Sequence, residues 1–143
     1  MRIIALCVSA IMPEFKASSP QTVVLVVEPD PYVRAMAADV LDQEGFEVIE
    51  ASSADYASTI LQSRNDVSVL FTEAATPGVL NGFDLTRIAH TQNPQIVVIM
   101  VVGALPSGFS GAAPEARFVC KPYRMADVIP LIRELTRDQS HSG

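Results

Sequence analysis

Three apolar runs in this chain end on residues able to do chemistry. Val23-Val-Leu-Val-Val leads into Glu28, Val69-Leu-Phe-Thr leads into Glu73, and Phe118-Val-Cys leads into Lys121-Pro122. In an open parallel sheet, ligands and chemistry sit outside the carboxyl ends of the strands. Two acids and a lysine can therefore converge on one small pocket. A fixed cation there can stabilise negative charge that develops beside a positioned carboxylate.

The elements that must carry these residues follow from periodicity. Val23–Val27, Val67–Phe71 and Ile96–Val102 are continuous β-branched and apolar runs, as expected of strands buried on both faces. Phe46–Ile49 and Arg117–Cys120 are shorter strand candidates. Between the first two strands, Val33, Ala37, Val40 and Leu41 fall on one helical face. Asp30-Pro31 supplies a capping acid and a first-turn proline, and Gly45 supplies the stop. Tyr56, Ala57, Ile60 and Leu61 mark a second helix with Ser53 as its cap, and Leu85, Ile88 and Ala89 mark a third. Met125, Val128, Ile129, Ile132 and Leu135 mark the last helix, which Pro130 is expected to kink or to delay. Strands alternating with helices predict a parallel sheet with right-handed crossovers. Gly103 to Ala116 has no helical periodicity; it reads either as a short or broken fourth helix or as a surface loop.

Bulk properties narrow the function. A length of 143 residues fits one domain with one core, and 49% apolar with 18% charged residues describes a globular chain. The net charge is −6 and the ten basic residues are scattered, which argues against a nucleic-acid surface. Cys7 and Cys120 fit neither a metal spacing nor a disulfide framework, so a reducing cytoplasm is the simplest compartment. Met1-Arg2 followed by Ile3 to Met12 has the look of a short signal peptide. That run is too short for a membrane span of roughly 20 residues, and Pro13-Glu14-Phe15-Lys16 offers no small-residue cleavage site. Residues 1–21 are read as an N-terminal extension and linker, with Met12 an adequate alternative start. Residues 22–138 form the domain and residues 139–143 a flexible tail.

From about Val23 to Leu135 the chain resembles a receiver domain of bacterial two-component response regulators. The resemblance rests on the acid-ended first strand followed by Pro31, and on Gly45-Phe46-Glu47-Val48. It continues with Thr72-Glu73 through Pro77-Gly78 to Asn81-Gly82, and ends on Lys121-Pro122-Tyr123. It implies a flavodoxin-like (CheY-like), doubly wound sheet of five parallel strands with helices on both faces, the fourth helix here short or irregular. It also implies a phosphorelay role, in which a histidine kinase passes a phosphoryl group to an aspartate ending the third strand. Two acids after the first strand help hold Mg2+ there, and a lysine after the fifth contacts the phosphoryl oxygens.

Mapped onto that pattern, this chain keeps the layout and changes the chemistry. Glu73 takes the phospho-acceptor position, Glu28 the first acidic position and Pro29 the second, with Asp30 next in line. Val101 stands where a Ser or Thr bonds the phosphoryl group; Phe118 keeps the aromatic switch position and Lys121 matches. Glutamate places its carboxylate about 1.5 Å beyond that of aspartate, and a 1 Å misplacement can cost about 100-fold in rate. Pro29 has no side-chain oxygen for an ion that demands near-octahedral ligation, and Val101 donates no hydrogen bond. A degenerate receiver is the expectation, with weak or absent Mg2+ binding and no catalytic or metal-binding residues. Glu73 and Lys121 can form an ion pair that biases the domain towards one conformer. The same pair also reads as a plain buried salt bridge.

The remaining candidates are less pointed. Cys120 is either a thiol activated by neighbouring Lys121 or inert core at a buried strand end. His90 suits the end of the third helix, His141 lies in the tail, and Tyr123 either rims a partner site or covers the sheet edge. The function expected is a standalone, phosphorylation-independent signalling module that binds a histidine kinase or effector, with a homodimer possible and no enzyme activity. The alternative is a receiver still phosphorylated on a carboxylate near Glu73. A flavin or nucleotide binder is disfavoured, because Glu28-Pro29-Asp30-Pro31 replaces a glycine-rich phosphate loop.

Overall fold

The computed structural model describes residues 21–104 and 116–142, with side chains as far as Arg137. In chain order its elements are β1 (Val23–Val27), α1 (Pro31–Gln43), β2 (Glu47–Ala51), α2 (Ala54–Ser63) and β3 (Val69–Glu73). They continue with α3 (Gly82–Gln92), β4 (Val97–Val102), β5 (Ala116–Cys120) and α4 (Met125–Ser142). All five strands are parallel, in the order β2-β1-β3-β4-β5.

Local chemistry sets the helix starts. The Asp30 carboxylate accepts from the amides of Tyr32 and Val33 while Pro31 opens α1, and Ser53 accepts from the Tyr56 amide at α2. Gly45, at φ +96°, turns the chain out of α1. A full capping box between Asn81 and Asp84 starts α3, which the apolar pattern of that helix alone did not reveal.

Alternation along the strands builds two cores. Leu25, Leu70 and Val98 face one side and pack with Ala57, Leu61, Leu85 and Ala89 of α2 and α3. Val24, Val26, Phe71 and Ile99 face the other and pack with Ala37 and Leu41 of α1 and Val128 and Ile132 of α4. Central β1, β3 and β4 are buried throughout, which explains why they read as continuous apolar runs.

Several boundaries differ from expectation. β3 begins at Val69 rather than Val67 and runs to Glu73, because its ladder to β4 pairs Val69 with Val97 and Glu73 with Val101. β2 is displaced to Glu47–Ala51, following its register along Val23–Val27. α4 starts at Met125 without delay and carries the exposed Pro130 within it, where water can serve the carbonyl that loses its partner. Its backbone is helical through Ser142, into the residues read as tail. Cys120 corrects the buried-core reading: β5 is an edge strand, and the thiol is free and exposed. Residues 105–115, where the fourth helix was expected, lie outside the described residues, as does residues 1–20 with Cys7 and the side chain of His141.

Candidate functional site

The strand order reverses between β1 and β3, which in an open α/β sheet marks the crevice where ligands gather. Glu28 leaves β1 there, Glu73 ends β3 beside it, and Val101 pairs with Glu73 across the β3–β4 ladder. The Ala74 amide donates to the Val101 carbonyl at 2.9 Å, and the Lys121 amide donates to the Val102 carbonyl at 2.9 Å. These two bonds align the ends of β3, β4 and β5. As a result Lys121 Nζ reaches Glu73 Oε2 at 2.9 Å.

That ion pair is unevenly placed. The Glu73 side chain is 9% exposed and that of Lys121 49% exposed. The hydrogen bond from Lys121 to Glu73 holds the lysine above its ordinary pKa, with smaller support from the charges of Glu73 and Glu28. Burial pushes the Glu28 carboxyl up, and the neighbouring Glu73 adds to the rise; the Asp30 amide and Lys121 act against it. Glu28 Oε2 accepts from that Asp30 amide at 2.9 Å.

The other expected positions fall as follows. Pro29 follows Glu28 and brings no oxygen from its side chain, while Asp30 spends its carboxylate on the α1 cap at 2.8 Å from the Tyr32 amide. Val101 is buried, so an apolar wall stands where a hydroxyl would act. The Phe118 ring is half-buried on β5, 6.4 Å from Phe83 in a tilted pair. Tyr123 packs edge-on against Phe71 at 6.0 Å and closes the pocket floor, with its phenol raised by burial and then by the two acids. His90 sits in the last turn of α3 with Nε2 3.2 Å from the Ile96 carbonyl, away from the pocket.

Supporting residues escaped the sequence reading. Arg34 Nη1 donates to the Glu28 carbonyl at 2.7 Å and its guanidinium pairs with Glu50 at 3.4 Å, tying β1 to β2. The Asp55 carboxylate accepts from the amides of Val79 at 3.0 Å and Leu80 at 2.8 Å, clamping the loop after β3. Thr76 accepts from the Ala54 amide and donates to the Leu80 carbonyl in the same loop. A side chain at Gly82 would clash with the Glu73 carbonyl, so only glycine lets α3 start this close to the site. Asn81-Gly82 was visible as a motif; the Asp55 clamp spans 24 and 25 residues and has no local signal.

The donor set does not fit a divalent cation. An octahedral Mg2+ site draws on carboxylate oxygens with room for water. Here Glu73 is committed to Lys121, Asp30 to the helix cap, and Pro29 offers nothing. No group of three His, Cys, Asp or Glu side chains able to hold a metal occurs among the described residues. What the arrangement can do is hold a carboxylate and an ammonium together at the crevice.

Comparison with known proteins agrees with this architecture. Residues 24–133 match the family model described as "Response regulator receiver domain". A CheY-like receiver domain protein from Methanospirillum hungatei is 25% identical, with a TM-score of 0.78 over 87% of this chain and 100% of that one. A receiver protein from Sinorhizobium medicae superposes at TM-score 0.75 with 20% identity, over 80% of this chain and 94% of its own. A receiver domain protein from Clostridium thermocellum gives 0.76 at 22%, over 85% and 99%. No helix among the described residues is long and apolar enough to cross a membrane. With the family model spanning residues 24–133, from the second residue of β1 into α4, and the acid–lysine crevice at the switch point, this chain belongs to the response regulator receiver domains of two-component signalling.

Proposed function

We propose that this receiver domain signals without phosphorylation, as a pseudo-receiver that acts through contact with a histidine kinase or an effector. The observation that carries the reading is the 2.9 Å ion pair of Glu73 with Lys121. The longer acid carries negative charge towards the lysine that would otherwise meet a phosphoryl oxygen. Its partner is therefore satisfied in the resting protein, and one conformer is favoured without a kinase. Pro29 and Val101 act in the same direction, since neither supplies the oxygen or hydroxyl that phosphoryl transfer needs. In this reading the domain catalyses no reaction, requires no Mg2+ and works in a reducing cytoplasm.

Calorimetric titration with Mg2+ tests the reading together with a reverted variant carrying Glu73→Asp, Pro29→Asp and Val101→Thr. The native chain should give no saturable heat up to 10 mM Mg2+, on the order of the weak affinities open to oxygen-poor sites. The reverted variant should bind the ion. Saturable Mg2+ binding by the native chain would overturn the proposal.

A further inference from the structure

A groove of about 890 Å³ opens from the crevice along the outer side of α1. Val33, Met36 and Val40 of α1 form one wall, and Tyr123 and Met125 form the other. Glu28 stands at its crevice end. Met36 is 63% exposed and Val33 37%, an unusual concession for large apolar side chains on adjacent turns of one helix. We infer that this groove binds a small apolar amine, whose body lies along α1 and whose ammonium meets the Glu28 carboxylate. Such a site needs only the groove and Glu28, so it holds whether or not Glu73 accepts a phosphoryl group.

Charge selects the head group. Five charged residues line the groove, and four of them are already matched. Lys121 Nζ holds Glu73 at 2.9 Å, Arg124 Nε reaches the Asp127 carboxylate at 3.4 Å, and the Asp30 carboxylate accepts two amides at the start of α1. Glu28 differs. Its carboxylate accepts from the Asp30 amide at 2.9 Å, and it forms no ion pair among the described residues. Arg34, in the first turn of α1, spends its guanidinium on the Glu28 carbonyl and on Glu50 instead. Burial, and then the charge of neighbouring Glu73, disfavour the ionised form of Glu28. An incoming ammonium offsets that cost, whereas a carboxylate ligand would add a fourth acid to Glu28, Asp30 and Glu73. The chain's net charge of −6 acts in the same direction.

Size and lining select the body. Small-molecule sites occupy roughly 300–1,000 Å³, with mostly apolar walls and a few placed polar groups. This groove has that volume and that lining. Between Val33 and Val40 the helix rises about 10 Å, which suits a short chain or one ring system. Met36 and Met125, one on each wall, are unbranched and polarizable and adapt to such a body. A protein partner fits less well: a standard interface engages about 20–30 residues a side, and twelve line this groove.

Phenylbutylamine titrated into the full chain near neutral pH tests the site, beside phenylbutanol and phenylbutyrate, which carry the same body on a neutral and an anionic head. The amine should shift the Met36 and Met125 methyls saturably and leave those of Leu70, in the core on the opposite side of the sheet, unmoved. It should bind about tenfold more tightly than the alcohol, the factor expected of one charge-assisted hydrogen bond. The carboxylate should bind more weakly than either. Glu28→Gln should bring the amine down to the affinity of the alcohol, while Met36→Gln should weaken amine and alcohol alike. Shifts that never saturate, equal affinities for amine and carboxylate, or an amine preference that survives Glu28→Gln would overturn the inference. Methyl shifts that change with protein concentration before any amine is added overturn it too, because they assign the groove to a second copy.

Discussion

Glu73 is nearly out of water while Lys121 keeps half its side chain in it, so the two ends of the ion pair differ in what they lose. Removing the lysine strands a buried carboxylate; removing the acid leaves an ammonium that water can reach. Lys121→Met should therefore cost about 2–3 kcal/mol in chemical denaturation, and Glu73→Gln about 1 kcal/mol or less. Equal losses would show that the pair is not buried as described. Glu28 gives a separate, pH-dependent signature. Its folded pKa is raised, so its contribution is full below the ordinary carboxylate value of about 4.3 and fades as pH rises through the raised value. At neutral pH the charged group is a cost. Glu28→Gln should raise Tm at pH 7, through a stability gain of less than about 1 kcal/mol since the group is partly exposed, and give no gain at pH 4. Melting curves at the two pH values check this. The three charged residues were legible because each ends an apolar run. Arg34 was not, because its bonds to the Glu28 carbonyl and to Glu50 exist only once β1 and β2 pair.

At the scale of elements, the site depends on how α1 and α3 begin. Asp30 caps α1 and also presents the amide that Glu28 accepts from, so cap and pocket share one turn. Asp30→Ala should cost about 1 kcal/mol without creating metal affinity. Gly82→Ala should be worse, at about 1–3 kcal/mol, because the new methyl meets the Glu73 carbonyl. Its mark should be a changed Glu73 environment, read as a shifted carboxyl carbon resonance. Caps at Asp30 and Ser53 were readable from residue type and position. The exposure of Cys120 was not, since a short apolar strand looks the same in the middle of a sheet as at its edge. Only the order β2-β1-β3-β4-β5 shows that β5 has a neighbour on one side. Pro130 does not delay α4, which begins at Met125; the cost of a proline in a helix depends on whether the orphaned carbonyl meets water, which periodicity alone does not show.

The whole molecule is a receiver fold with its crevice at the switch point between β1 and β3. Fold class was legible because strand and helix periods alternate cleanly and the central strands are buried on both faces. The groove along α1 was not, because it forms between residues nearly a hundred positions apart, Val33 and Met125 among them. If the domain rests in one conformer, as proposed, it should also be indifferent to Mg2+. Thermal melts with and without excess Mg2+ should superimpose, whereas the variant with Glu73→Asp, Pro29→Asp and Val101→Thr should gain stability with the ion. The central claim is that Glu73, held by Lys121 beside Pro29 and Val101, accepts no phosphoryl group. Intact mass after incubation with a small phosphodonor and excess Mg2+ tests it most directly. The account predicts an unchanged mass; a stable phosphoryl adduct on Glu28, Asp30 or Glu73 would contradict it.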